Sequence, residues 1–376
     1  MKIIIPMARR GSHLRLRSAA VTLLLFSFTI IAQSQTTGRL SQPEKDFEQF
    51  WNTFKDNYAF FHLKGISWDS TYSTYRPRVT KATTEKELIA VFAQMVDPLN
   101  DGHVTITRGE EILYKTKKSS YFKQEFKGLE KEFWQTAFST LSTHQFSTPK
   151  GYGPVFKDQH LYYVAQSPDL AYLRITRCFA TPESLFSTRK ELRDTKLMLS
   201  LIDSLLPLFA NTKGLIIDLR TNGGGHAGIE LASRFAALKT LTHYKAIRQK
   251  GSYERFTPLQ PQYIVPNKGV QYLKPIVILT NDKTASSAED FTISLYQQPN
   301  VTTIGTHTSG MLSDMFDARL SHKISFTLSN QCYYSTEKQI LEDRGVPAKI
   351  EIKNTKKDIE NGTDPVVLKA IETLRR

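Results

Sequence analysis

The chain has 376 residues, with 50 Lys and Arg against 36 Asp and Glu, and a formal charge of +14. The positive charges are scattered; the densest run, residues 115–118 (KTKK), reads as a solvated loop, so composition argues against a nucleic-acid partner. Cys178 and Cys332 lie far apart and fit no metal-ligand spacing, which leaves a disulfide or two buried free thiols.

Residues 1–34 read as a secretory signal peptide. Arg9, Arg10, Arg15 and Arg17 form a basic region. Residues 19–32 are an uncharged apolar run too short to span a membrane comfortably, and Ala32 and Ser34 are small residues at the two positions a signal peptidase reads. This segment holds five Lys/Arg and no acid, leaving +9 on the mature chain. No cysteine follows the run, so no lipid attachment is expected. The expected destination is periplasmic or extracellular, with no stable membrane anchor after cleavage.

Residues 40–107 read as a helical unit. Phe47, Phe50, Trp51, Phe54 and Tyr58 recur at helical spacing within 41–64, and Leu88, Val91, Phe92 and Met95 share one face of a second helix that Pro98 ends. The aromatic stripe reads as core. Residues 108–160 are polar, aromatic-rich and poorly periodic, an insert of unassigned structure. Residues 161–376 alternate strands with helices, which means an α/β architecture. Strands are expected at 161–164, 171–175, 214–220, 276–279 and 301–304, with a β-hairpin around 324–328, and helices over about 183–209, after the glycines 223–225, within 275–298 and at 365–376.

Two strand–turn–helix units carry chemistry. In residues 282–290 (DKTASSAED) a serine stands at a helix N-terminus, where free N–H groups and the dipole stabilise an anion such as the oxyanion of acyl transfer. The same serine is also a good N-cap. In the other unit, Gly223, Gly225 and Gly228 mimic a dinucleotide fingerprint, but residues 245–252 (KAIRQKGS) offer no ribose-binding acid, so no nucleotide cofactor is expected.

Six blocks in order resemble the S41 peptidases, the C-terminal processing and tricorn-like serine proteases. They are 99–103 (LNDGH), 172–175 (YLRI) before Phe179, 213–225 (KGLIIDLRTNGGG), 284–289 (TASSAE), 304–310 (IGTHTSG) and 342–346 (EDRGV), the last followed directly by Pro347. The resemblance implies a crotonase/ClpP-like core of ββα units and an acyl-enzyme mechanism on Ser286 without metal or organic cofactor. Processing proteases carry a dyad lysine where this chain has Met311, and Lys283, upstream, reads as solvent-facing. The resemblance is therefore closer to the tricorn-like subgroup, with His103 as base and Glu342 orienting it. Gly102 stands where that subgroup has an orienting serine, so this hydroxyl is missing or supplied from elsewhere. His226 and His307 are rival bases. The oxyanion hole is expected from the N–H groups of Gly224, uncertain by one position among the three glycines, and Ser287. No carboxylate-binding loop of a PDZ module is seen between His103 and Tyr172, which leaves the cleft, the helical unit and the insert to select a peptide or protein substrate. The alternative is a non-catalytic ligand- or peptide-binding protein on the same fold.

Overall fold

In the computed structural model, which describes residues 39–376, the chain opens with three helices: α1 (Gln42–Asn57), α2 (Trp68–Tyr75) and α3 (Glu85–Val96). The signal peptide expected over 1–34 lies outside the described residues. Ser41 starts α1 with a capping box, its N–H and hydroxyl both donating to the Glu44 carboxylate (3.0 and 2.6 Å). Thr84 and Glu87 do the same for α3. The expected aromatic stripe is buried, and Phe50 stacks on Phe92 with ring centroids 4.0 Å apart.

The remaining elements follow in chain order. β1 (Thr105–Arg108) and β2 (Glu111–Lys115) precede α4 (Tyr121–Glu125) and α5 (Glu130–Thr143). Then come β3 (Lys150–Phe156), β4 (Gln159–Gln166), β5 (Leu170–Ile175), α6 (Thr188–Leu205), β6 (Gly214–Asp218) and α7 (Gly228–Ala232). They are followed by β7 (Thr240–Ile247), β8 (Gln260–Ile264), β9 (Ile276–Thr280), α8 (Ser287–Tyr296) and β10 (Val301–Gly305). The chain ends with β11 (Met315–Arg319), β12 (Ile324–Ser329), β13 (Gln331–Tyr334), β14 (Ile350–Glu351), α9 (Lys356–Glu360) and α10 (Pro365–Arg375). The segment 108–160, unassigned from sequence, thus holds β2, two helices and β3. Its polar composition hid the pattern because the helices bury short aromatic clusters, Phe122, Phe126, Phe133 and Trp134, rather than a long stripe.

The α/β architecture with a helical N-terminal unit is the one found. The central sheet has seven strands in the order β14-β10-β9-β6-β5-β4-β3, parallel from β5 through β14 and antiparallel at the β4–β3 edge. Its middle strands β5, β6 and β9 are buried throughout, as continuous apolar strands with both faces covered should be. A second sheet, β11-β12-β1-β2, covers the N-terminal helices: Ile106 of β1 and Phe326 and Leu328 of β12 enter their aromatic core. β1 is therefore positioned by a strand more than two hundred residues later, and it carries the preceding turn with it. The third sheet is β13-β7-β8.

Ligands of open parallel sheets bind beyond the carboxyl ends of the strands. Here those ends carry the turns after β6 and β9. The first is fixed by Arg220, fully buried, which pairs with Asp218 and Asp364 (both 2.7 Å) and bonds Asn354 (3.1 Å). Arg220→Ala leaves two buried carboxylates without their cation. A loss of about 3–5 kcal/mol is expected, read as a lower urea midpoint; a loss below about 1 kcal/mol would mean these charges are solvated.

Candidate active site

β9 ends at Thr280, and the chain turns through Asn281–Ser286 into α8. Three bonds weld this turn to the one after β6: Thr284 Oγ1 donates to Leu219 O (2.9 Å), Ala285 N to Asn222 O (2.9 Å), and Thr221 N to Asn281 Oδ1 (3.1 Å). Ser286 sits at the N-cap of α8 with φ 54° and ψ −125°. A positive φ costs a non-glycine residue about 1–3 kcal/mol and persists only where surroundings impose it. The surroundings do so: Ser286 N–H is shared between Met311 O (3.1 Å) and Glu289 Oε2 (2.9 Å). Ser286 and Glu289 form a capping box at the start of α8, the side chain of each facing the backbone N–H of the other.

Glu289 was not singled out in the sequence beyond its place in the TASSAE block. It is fully buried, and its carboxylate accepts four hydrogen bonds: from Thr308 Oγ1 (2.6 Å) and from the amides of Gly310 (2.7 Å), Met311 (2.8 Å) and Ser286 (2.9 Å). It clamps the loop 308–311 to the serine turn. Thr308 Oγ1 in turn accepts from Val346 N (2.7 Å), which ties in the segment after Glu342.

Ser287 is committed elsewhere. Its buried hydroxyl accepts from Gly228 N (2.8 Å), the start of α7. Its own N–H, at the first position of α8, has no intrahelical partner and points to the same end of the helix as Ser286. Gly224 requires correction. Its N–H, expected to face an oxyanion, donates to Asn222 Oδ1 (2.9 Å), whose amide is in turn anchored on Ile175 O (3.0 Å). What Gly224 supplies is closeness: at φ 93°, a Cβ there would lie 2.6 Å from Ala285 O and 2.8 Å from Ser286 Cβ. Gly223, one residue earlier, is exposed, and its N–H has no hydrogen-bond partner among the described residues.

His103 is buried just before β1. Its N–H donates to Asp101 Oδ1 (3.0 Å), its carbonyl accepts from Thr327 Oγ1 (2.5 Å), and its Nδ1 lies 3.5 Å from the hydroxyl of Ser329. Burial pushes the imidazole below its ordinary 6.5, with the Asp101 charge opposing. Glu342 is also buried. One oxygen accepts from Leu312 N (3.3 Å), and the other has no partner among the described residues. Burial, then the nearby Asp101 carboxylate, hold it well above the usual carboxylate range. The direct bond expected from Glu342 to His103 is not formed. Asp101 is the acid bonded to His103, through the backbone, and Ser329 is the group at the ring nitrogen. Asp101 and Ser329 were both missed; Asp101 lay within the LNDGH block, whereas nothing in the sequence marked Ser329.

The three expected residues nevertheless meet at one loop. Met311 O takes the amide of Ser286, the next amide, Leu312, bonds Glu342, and the Met311 side chain covers the residue before His103: a Cβ on Gly102 would lie 2.5 Å from Met311 Cε. The rivals are occupied elsewhere. His226 bridges Thr195 (3.1 Å), Ser184 (3.0 Å) and Asp194 (3.2 Å), and His307 Nδ1 lies 2.7 Å from Thr308 O. Lys283, expected to face solvent, is half-buried, and burial followed by the charge of Lys123 pushes its ammonium down to about 8. Cys178 and Cys332 are both buried and free.

Residues 169–352 match peptidase family S41, and residues 41–97 match the tricorn protease C1 domain. A carboxyl-terminal-processing protease of Synechocystis is 28% identical over 120 residues, 31% of this chain and 26% of that one. The chain spans 22% and 26% of the length of the curated relatives it matches. A putative peptidase from Parabacteroides merdae superposes with a TM-score of 0.67 at 24% identity, over 89% of this chain and 98% of that one. The tricorn protease superposes with a TM-score of 0.53 at 15% identity, over 89% of this chain and 37% of that one. These superpositions speak for the fold.

Glu289→Gln puts an NH2 group against a set of donors. The expected cost is about 2–3 kcal/mol, with the Gly310 and Met311 amides exchanging hydrogen about 10²-fold faster. Unchanged exchange at these two amides would show that the carboxylate is not what holds the loop.

Proposed function

The chain belongs to peptidase family S41, and on that premise we propose that it is an exported serine peptidase that hydrolyses peptide bonds through an acyl-enzyme on Ser286. The observation that carries the reading is the strained Ser286, held at a strand–helix junction by a buried carboxylate, beside a loop that also touches the Glu342 backbone partner and the His103 turn. Met311 provides no proton acceptor, so the base is His103. Apo hydrogen bonds of catalytic groups are often loose and tighten with substrate. In this scheme His103 takes the Ser286 proton as the hydroxyl attacks the substrate carbonyl, then returns it to the leaving amine. Ser329 holds the ring by its Nδ1 side, in place of the hydroxyl absent at Gly102. Asp101 fixes the backbone of the same turn, and Glu342 supports the loop through Leu312. The developing oxyanion is received by the N–H groups of Ser287 and Gly223. Substrates are peptides or proteins. Among the described residues no helix is long and apolar enough to cross a membrane. Export rests on residues 1–34.

A fluorophosphonate probe tests the nucleophile. Labelling is expected to disappear in Ser286→Ala and to persist in Ser287→Ala, which loses about 1 kcal/mol of stability through its bond to Gly228. Absence of labelling and of peptide cleavage in the unaltered protein would favour the ligand-binding alternative.

The pH profile tests the base. Only neutral imidazole accepts a proton, and burial lowers its pKa, so kcat/KM is expected to rise with pH through a value below 6.5 and to be level by neutrality. His103→Ala should lose on the order of 10²-fold or more. A profile that rises only near pH 8, the range of Lys283, would transfer the role to that lysine.

A further inference from the structure

The lysine run at residues 115–118 lies on the rim of this site. At the end of β2, Thr116 N donates to Val104 O (3.1 Å), the residue next to His103. Lys118 then reaches Gly310 O (2.9 Å) and Asp343 (2.8 Å), spanning the loop that carries Met311. At the start of α4 the amides of Tyr121 and Phe122 hold the carboxylate of Asp282, four residues before Ser286 (3.2 Å from Phe122 N to Oδ1). Residues 115–123 therefore form a strap pinned at one end beside the base and at the other beside the serine turn.

The strap is basic, with few acids against it. Lys115, Lys117 and Lys123 are exposed, and Lys283 on the serine turn is half-buried. Among the described residues, none of the four has an ion-pair partner. Lys118 has one, Asp343, which it shares with Lys64 (2.7 Å). The acid nearest in sequence, Asp282, is bonded to the two amides, and its charge offsets part of the repulsion felt by Lys283. The lysines feel one another: the charge of Lys123 helps depress the ammonium groups of both Lys115 and Lys283, after partial desolvation. Like charges kept together with more cations than acids cost stability, and the surface of a cleft is where such a cost is offset by a ligand of opposite charge.

Resting on the peptidase reading, we propose that Lys115, Lys123 and Lys283 form an anion subsite of the cleft that binds a carboxylate of the peptide substrate close to the scissile bond. The carboxylate comes from an Asp or Glu side chain or from the peptide's own C-terminus. Exposed charge pairs of this kind act chiefly on encounter and selection, and salt screens them over about 8–10 Å. The subsite thus selects acidic peptides and contributes nothing to the bond-breaking step.

The test uses the Ser286→Ala protein and three fluorescein-labelled peptides of equal length. One has two Glu residues and an amidated C-terminus, one has Gln in their place and is amidated, and one is the Gln peptide with a free C-terminus. Fluorescence anisotropy at low salt should give the Glu peptide or the free-acid peptide at least about tenfold tighter binding than the neutral one, an advantage that fades at high salt. Which anionic peptide gains identifies the source of the carboxylate. The advantage should fall at least about fivefold when Lys115→Gln, Lys123→Gln and Lys283→Gln are combined, and should remain in a charge-matched control with Lys190→Gln, Lys196→Gln and Lys213→Gln. In a background that keeps Ser286, the first triple variant should retain fluorophosphonate labelling and its melting temperature. Equal binding of the three peptides, no measurable binding of either anionic one, or an advantage that survives the lysine substitutions would overturn the subsite. Failure of the peptidase reading appears separately, as loss of labelling and cleavage in the unaltered protein.

Discussion

The carboxylate of Glu289 is the constraint on which the site depends. It is out of water, and four donors converge on it, three of them main-chain amides from two separate segments. A buried carboxylate is costly unless every lone pair is used, and here the using groups are the parts that must be held. It stabilises the left-handed turn at Ser286, which no side chain at that position favours, and it sets the height of the loop that delivers Met311 and Leu312. Through Thr308 the same clamp reaches Val346 and so the segment that presents Glu342.

Around that clamp the chain uses glycines as spacers rather than hinges. Gly224 lets the turn after β6 lie against Ser286, and Gly228 lets α7 pack on Ser287, where a Cβ would come within 1.8 Å of the Ser287 carbonyl oxygen. Both turns are thus pressed together at the carboxyl ends of adjacent parallel strands, β6 and β9. Once the turns have satisfied one another, the amide of Gly223 is left without a hydrogen-bond partner among the described residues.

Much of this was legible from residues alone. The buried strands β5, β6 and β9 are continuous apolar runs, and the aromatic stripe of α1 has one period and one meaning. The strand–turn–helix unit that puts Ser286 at the start of α8 is readable from its residues, whereas the bond of the Ser287 hydroxyl to Gly228 is not. What escaped was whatever depends on partners distant in sequence. Ser329 ends a strand whose alternation was visible, but its approach to His103 is created by the pairing of β1 with β12. Which of the three glycines keeps a free amide is not readable either, because no sequence states that the Asn222 side chain will fold back onto Gly224. Lys283 looked solvent-facing because α4, which brings Lys123 over it, belonged to the segment with no readable period.

The contact between Gly102 and Met311 links two positions that are 209 residues apart into one volume. A side chain at 102 and the methionine methyl cannot occupy it together. A serine at 102 would require the thioether, the far end of a flexible side chain, to swing out of this volume. Substitutions at the two positions should therefore be coupled, and the order in which they are made decides whether the space beside Gly102 is overfilled or left open.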